Sequence, residues 1–166
     1  AFDAEARGKL ENLVALSPDF AALLVTEAAD IARQQKLELE REITTLVRRI
    51  GQRLGTLDDA IDVFVRDDRL DAVAELLVQV SGLEESHIAS VLNHDNGYGI
   101  AVVCRSLSIG DKAYLKLSQL RASHLKQGQA AVDAWVANYA EIDRQSADRA
   151  LYFHRMRMAV LNAGKK

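Results

Sequence analysis

Residues 81–107 read SGLEESHIASVLNHDNGYGIAVVCRSL. Ile88, Val91 and Leu92 recur at helical spacing, and so do Ile100, Val103, Cys104 and Leu107. Between them, Asn93-His94-Asp95-Asn96-Gly97 is a run of turn formers, residues that accept left-handed backbone or fold their side chains onto nearby amides. The stretch therefore predicts a helix, a tight turn and a second helix. Upstream, Leu70, Val73, Ala74, Leu76, Leu77 and Val80 precede Ser81-Gly82, which predicts another helix closed by a glycine.

Shifting the sequence by 27 residues superposes this pattern on its neighbours. Leu46, Val47 and Ile50 fall on Val73, Ala74 and Leu77, then on Ile100, Ala101 and Cys104. Gly55 falls on Gly82, Ile61 on Ile88 and Leu115, Phe64 and Val65 on Val91 and Leu92, and Asp68 on Asp95. The third copy decays at Ser118 and Gln119. A repeat of this length, one helix and a turn into a shorter helix, is the signature of stacked helical units. The expected fold is all-α: stacked helical hairpins (HEAT-like, α-solenoid or irregular bundle) with a C-terminal helical pair.

Working outward, residues 3–16 predict a first helix, with Leu10, Leu13, Val14 and Leu16 apolar. Ser17-Pro18-Asp19 stops and restarts the chain. Leu24, Ala28, Ile31, Leu39, Ile43, Leu46, Val47, Ile50 and Leu54 then carry one long pattern up to Gly55. A straight helix over 18–54 would span about 55 Å, whereas a compact domain of this size is about 40 Å across. The expectation is a break near Gln35, or an arm reaching a partner subunit. Thr56 and Asp59 form a capping-box pattern before Ile61, Phe64 and Val65. Tyr114, Leu115, Leu117, Leu120 and Leu125 mark a further helix, and Val132, Trp135, Val136 and Tyr139 the next. Ser146 is the expected cap of the last helix. There Ala147, Leu151, His154, Met158 and Leu161 form one apolar row, and Phe153, Met156 and Val160 a second. A helix apolar on two sides is covered on two sides, here by its own domain and by a second copy of the chain.

The 166 residues suit one domain, 1–166. It divides into N-terminal helices (1–38), three hairpin units of about 27 residues (39–126) and C-terminal helices (127–166). The chain opens at Ala1 without an initiator Met, as a piece of a longer protein would. A single cysteine, Cys104, precludes an internal disulfide and fits a reducing, cytoplasmic setting. No apolar run approaches the roughly 18 residues of a membrane span. Residues 56–96 carry ten acids against Arg66 and Arg69, and residues 97–128 carry Arg105, Lys112, Lys116, Arg121 and Lys126 against Asp111. Such blocks read first as solvated helix faces and second as surfaces for a charged protein partner. Phosphate binding wants a broader basic face, which does not favour nucleic acid.

The stretch from about 69 to 107 resembles the C-terminal part of an uncharacterised family of alphaproteobacterial proteins with HEAT-like helical repeats, a domain of unknown function. The residues that carry the resemblance are Ser81-Gly82-Leu83, Ile88 with Val91-Leu92, Gly97, Gly99 and Val103-Cys104-Arg105-Ser106. The family shows Gly soon after its Cys-Arg, whereas here Gly comes only at 110. The resemblance implies stacked helices and no active site.

Each motif that suggests chemistry also has a packing reading. His124-Leu125-Lys126-Gln127-Gly128 is similar to the histidine phosphotransfer motif, in which Leu, Lys and Gly follow the His by two, three and four residues. Here they follow by one, two and four, which turns the Lys away from the phosphoryl group. Glu84 and His87 have the Glu-x-x-His spacing of a di-iron helix, with no second copy in the chain. The 94–99 turn has free amides for an anion, but Asp95 opposes it. Cys104 sits at helical spacing among apolar residues, as a buried thiol does.

The expected function is a non-enzymatic helical-repeat module binding another protein, with no cofactor or metal and with a homodimer through the C-terminal helices as its self-association. The interaction residues expected are Trp135, Tyr139, Tyr152, Met156, Arg105, Lys112 and Lys116. A phosphotransfer-like signalling module with His124 as phosphoacceptor is the alternative, and a helical-repeat nucleic-acid binder a distant third.

Overall fold

A computed structural model describes residues 8, 9, 11, 12, 15 and 18–165. The first helix expected, over 3–16, and the Ser17 cap lie outside the described residues. Eight helices are named here in chain order: α1 (Pro18–Gly51), α2 (Leu57–Arg66), α3 (Leu70–Ser81), α4 (Glu85–Asn93), α5 (Tyr98–Ser106), α6 (Asp111–Leu125), α7 (Gln129–Glu141) and α8 (Arg144–Ala163). No strand occurs among the described residues, and none of the described helices is long and apolar enough to cross a membrane. By its internal packing the chain divides into two compact units, Ala1–Arg41 and Glu42–Lys166.

The break expected near Gln35 is absent: α1 is a single 34-residue helix. No Gly or Pro interrupts residues 19–50, and Ala, Leu, Glu, Gln, Arg and Lys, all good helix formers, dominate. The helix also stops earlier than expected, at Gly51, and Leu54 lies exposed in the turn that follows.

Within the second unit the helices start where their local signals place them. Thr56 accepts from the Asp59 amide at 3.1 Å, and the Thr56 amide donates to Asp59 at 3.2 Å, which completes the capping box of α2. Gly82 closes α3 at φ 68°, a left-handed conformation that L side chains adopt at a cost. α8 differs in its start: Asp143, not Ser146, is the cap, and it accepts from the Ser146 amide at 2.9 Å. A carboxylate acceptor complements the positive helix end better than a hydroxyl.

Ala60, Ile61 and Phe64 of α2 are buried, as are Ala72, Val73, Leu76 and Leu77 of α3 and Ile88 and Leu92 of α4. α5 buries Ile100, Ala101, Val102, Val103 and Cys104, and a helix apolar all round is a central one. It packs against α4, α7 and α8, while α6 packs against α2, α4 and α7. Gly99 lets α4 approach, because a Cβ there would lie 2.7 Å from a Val91 methyl. Helix starts recur close to the 27-residue spacing, at Leu57, Glu85 and Asp111 and at Leu70 and Tyr98. The third unit turns its helix, however. Tyr114, Leu117, Ser118 and Arg121 are buried and Leu115 is 36% exposed. Tyr114 stacks on Tyr139 of α7, with ring centroids 3.8 Å apart, so the neighbour rather than the repeat sets the buried face.

Arg121, 1% exposed, is the unexpected member of this core. Its Nε donates to the Leu92 carbonyl at 2.9 Å and its Nη2 to the His94 carbonyl at 2.8 Å, at the C-terminal end of α4. The guanidinium lies 4.4 Å from the centre of the Trp135 ring, and Trp135 Nε1 donates to the Asp95 carbonyl at 3.0 Å. Gly97, at φ 65°, completes the turn; a Cβ there would meet Trp135 at 2.6 Å. We predict that Arg121→Met, which keeps the volume and removes the donors, lowers unfolding stability by about 2–4 kcal/mol. A urea midpoint lower by the corresponding amount, with an unchanged m-value, checks this; an unchanged midpoint contradicts it.

Candidate functional site

The fold leaves one helix of the second unit with a broad apolar face uncovered. α8 turns Ala147 and Leu151 into the core and half-buries His154 and Met158. At 100° per residue, Tyr152, Phe153, Met156 and Val160 lie on the opposite side. They are 59%, 69%, 49% and 69% exposed. The Tyr152 and Phe153 rings meet edge to face with centroids 5.9 Å apart. The second apolar row read from the sequence is therefore at the surface.

Concave features run along both sides of α8. On one side, Leu83, His87 and Val91, Val102 and Val103 of α5, and Ala150, Leu151 and His154 line a groove of ≈310 Å³. The His87 and His154 rings meet there edge to face, with centroids 4.7 Å apart. On the other side, Ser106, Asp148, Arg149, Tyr152, Phe153 and Arg155 line a wider depression. Arg155 donates to the Ser81 carbonyl and Ser106 to Asp148. These bonds fix α8 on α3 and α5, so the exposed row stands on a held helix.

The other residues singled out in the sequence lie elsewhere. Trp135 and Tyr139 are buried, at 3% and 1% exposure, and serve the core rather than an interaction surface. Arg105 is held inside as well. Its guanidinium lies 3.8 Å from the Tyr139 ring centre and donates to the Tyr139 carbonyl at 2.7 Å. Lys116 is bonded to Asp62, whose carboxyl Lys116 and then Arg66 hold below the usual carboxylate range. Lys112 is exposed. His124 is exposed in the last turn of α6, and its Nε2 lies 3.1 Å from Asp68. Glu84 sits at the N-cap of α4 and His87 on the groove. Among the described residues no three His, Cys, Asp or Glu side chains gather as metal ligands. The Asn93–Gly97 run is a turn: the Tyr98 amide donates to Asn96 at 3.0 Å and the Asn96 amide to His94 Nδ1 at 3.3 Å. Sequence reasoning missed the carbonyl-binding roles of Arg105, Arg121 and Arg155. The one available signal was Arg121 within the apolar run Leu117–Leu120–Leu125.

The described residues form an all-helical protein in which α8 keeps an apolar face exposed. The particular family is shown by comparison: the family described as an uncharacterised protein conserved in bacteria (DUF2336) matches residues 2–152, and the chain belongs to it. No curated protein and no solved structure is detectably similar to the chain.

Cys104 is fully buried, and burial pushes its thiol up to about 12. The thiolate is the reactive form. Native protein at pH 8 is therefore expected to react with a disulfide reagent at least about a hundredfold more slowly than urea-unfolded protein. Comparable rates would show that the α5 core opens readily.

Proposed function

We propose that this chain is a non-enzymatic, helical-repeat module that binds another protein, and that it does so through the outer face of α8. The observation that carries the reading is the row Tyr152, Phe153, Met156 and Val160, exposed on a helix whose other side is locked into the core. Aromatic and methionine side chains are enriched where proteins meet, because they bury much area with few rotors. The near-27-residue recurrence of helices supports a HEAT-like reading of the body. The unpaired Cys104 supports a reducing, cytoplasmic setting.

The alternatives have less support. His124 ends its helix beside Asp68, where a phosphoryl group would face a carboxylate. Of the 97–128 bases, Arg105 and Arg121 bind backbone carbonyls and Lys116 binds Asp62, which leaves little for a nucleic-acid backbone.

The test is a Phe153→Asp, Met156→Asp double variant of the tagged full chain, expressed in its native host. Both side chains are exposed, so the thermal midpoint should stay within about 2 °C of the parent. Proteins recovered specifically with the parent should fall at least about tenfold. Undiminished recovery by a folded variant overturns the reading.

A further inference from the structure

The charges around the exposed row say what kind of partner it takes. α8 carries Arg144, Arg149, Arg155 and Arg157 against Asp148 alone, a net +3 in a chain of net −3. Two of these arginines are committed within the fold. Arg144 lies 3.8 Å from Asp148, and Arg155 binds the Ser81 carbonyl. Arg149 and Arg157 are exposed, and neither makes a hydrogen bond or ion pair with a described residue. They stand four residues either side of Phe153, so the three form one ridge along the helix, Arg149–Phe153–Arg157. The two guanidinium-bearing positions are about 12 Å apart at 1.5 Å per residue. Met156 and Val160 lie beside this ridge on the same apolar face, and both are exposed.

Resting on the reading that α8 is the binding face, we propose that its occupant is an acidic amphipathic helix of a partner protein. That helix presents an apolar anchor with a carboxylate about four residues before it and another about four after. The spacing follows from the ridge: two helices packed side by side match rows of the same pitch, so carboxylates at i and i+8 reach Arg149 and Arg157 while the residue at i+4 meets Phe153. Complementary charge sets register and speeds encounter, and the apolar row supplies the contact area. A second copy of α8 is disfavoured by the same charges, since pairing the helix with itself sets arginines against arginines with one Asp148 on each side.

The full chain is titrated by fluorescence anisotropy with two labelled helical peptides of alanine-rich background. One carries Glu-x-x-x-Leu-x-x-x-Glu, and the other has Lys in place of both Glu. The account expects the acidic peptide to bind at least about tenfold more tightly than the basic one. Arg149→Glu with Arg157→Glu, both at exposed positions, should reverse that order. Equal binding of the two peptides, or an order that the reversal leaves alone, overturns the proposal. So does co-sedimentation with phosphatidylglycerol vesicles, lost on the same reversal, when neither peptide binds. A dimer in light scattering that Phe153→Asp disperses also overturns it. If Phe153→Asp, Met156→Asp abolishes partner recovery while the charge reversal changes nothing, the binding face stands and only its acidic occupant fails.

Discussion

The structure depends most on how one buried cation meets the end of a helix. α4 ends at Asn93, and its last carbonyls have no partners within the helix. Arg121 reaches them from α6, donating to Leu92 and His94, and Trp135 of α7 takes the Asp95 carbonyl. Two side chains thus join three helices at one turn. The charge is favourable there because a helix C-terminus is the negative end of its dipole, and the Trp135 face supplies a further partner. Burial pushes the guanidinium downward from its usual value, but an arginine has far to fall before losing its proton. Arg105 does the same for the end of α7 and Arg155 for the end of α3. Three helix ends are thus closed by arginines rather than by glycine motifs alone.

This explains why the charge blocks of the sequence do not make two surfaces for partners. Two of the five bases of the basic block, Arg105 and Arg121, are bound to carbonyls. Part of the rest meets the acidic block directly: Lys116 binds Asp62, His124 lies beside Asp68, and the Gly110 amide donates to Asp58 at 3.1 Å. All three contacts join α2, or the turn after it, to α6 or the turn before it. Acid and base that lie far apart in the sequence are opposite sides of one packed pair. Arg149 and Arg157 of α8, outside both blocks, are exposed as well.

Much of this was legible in the residues. Gly82, the Thr56–Asp59 box, the 93–97 turn and the paired rows of α8 all declare themselves through local chemistry, and the structure places them accordingly. The family resemblance seen over 69–107 extends through most of the chain. What was not legible depended on neighbours distant in sequence. Its place between Leu117 and Leu125 puts Arg121 on the apolar side of α6, but its partners are carbonyls 27 and 29 residues away, which no local pattern shows. The exposure of Leu115 follows from Tyr114 stacking on Tyr139. The length of α1, unbroken over 34 residues, exceeds what one compact body of this size spans. At the candidate site, the exposed row could be read from periodicity, but its separation from Trp135 and Tyr139 could not. All are aromatic or apolar residues on C-terminal helices, and only packing tells which are covered.

We propose that the outer face of α8, which stands on the arginine-held core, is the one that takes a partner. Site-specific photocrosslinking in the native host tests it most directly. A photoreactive residue is placed at Phe153 and, in a separate protein, at Val63, an apolar residue of α2 that is 46% exposed. The account predicts a discrete crosslinked species from position 153, mapping to an acidic helical segment of another protein, and none from position 63. Crosslinks of equal yield at both positions, or at 63 alone, would contradict it.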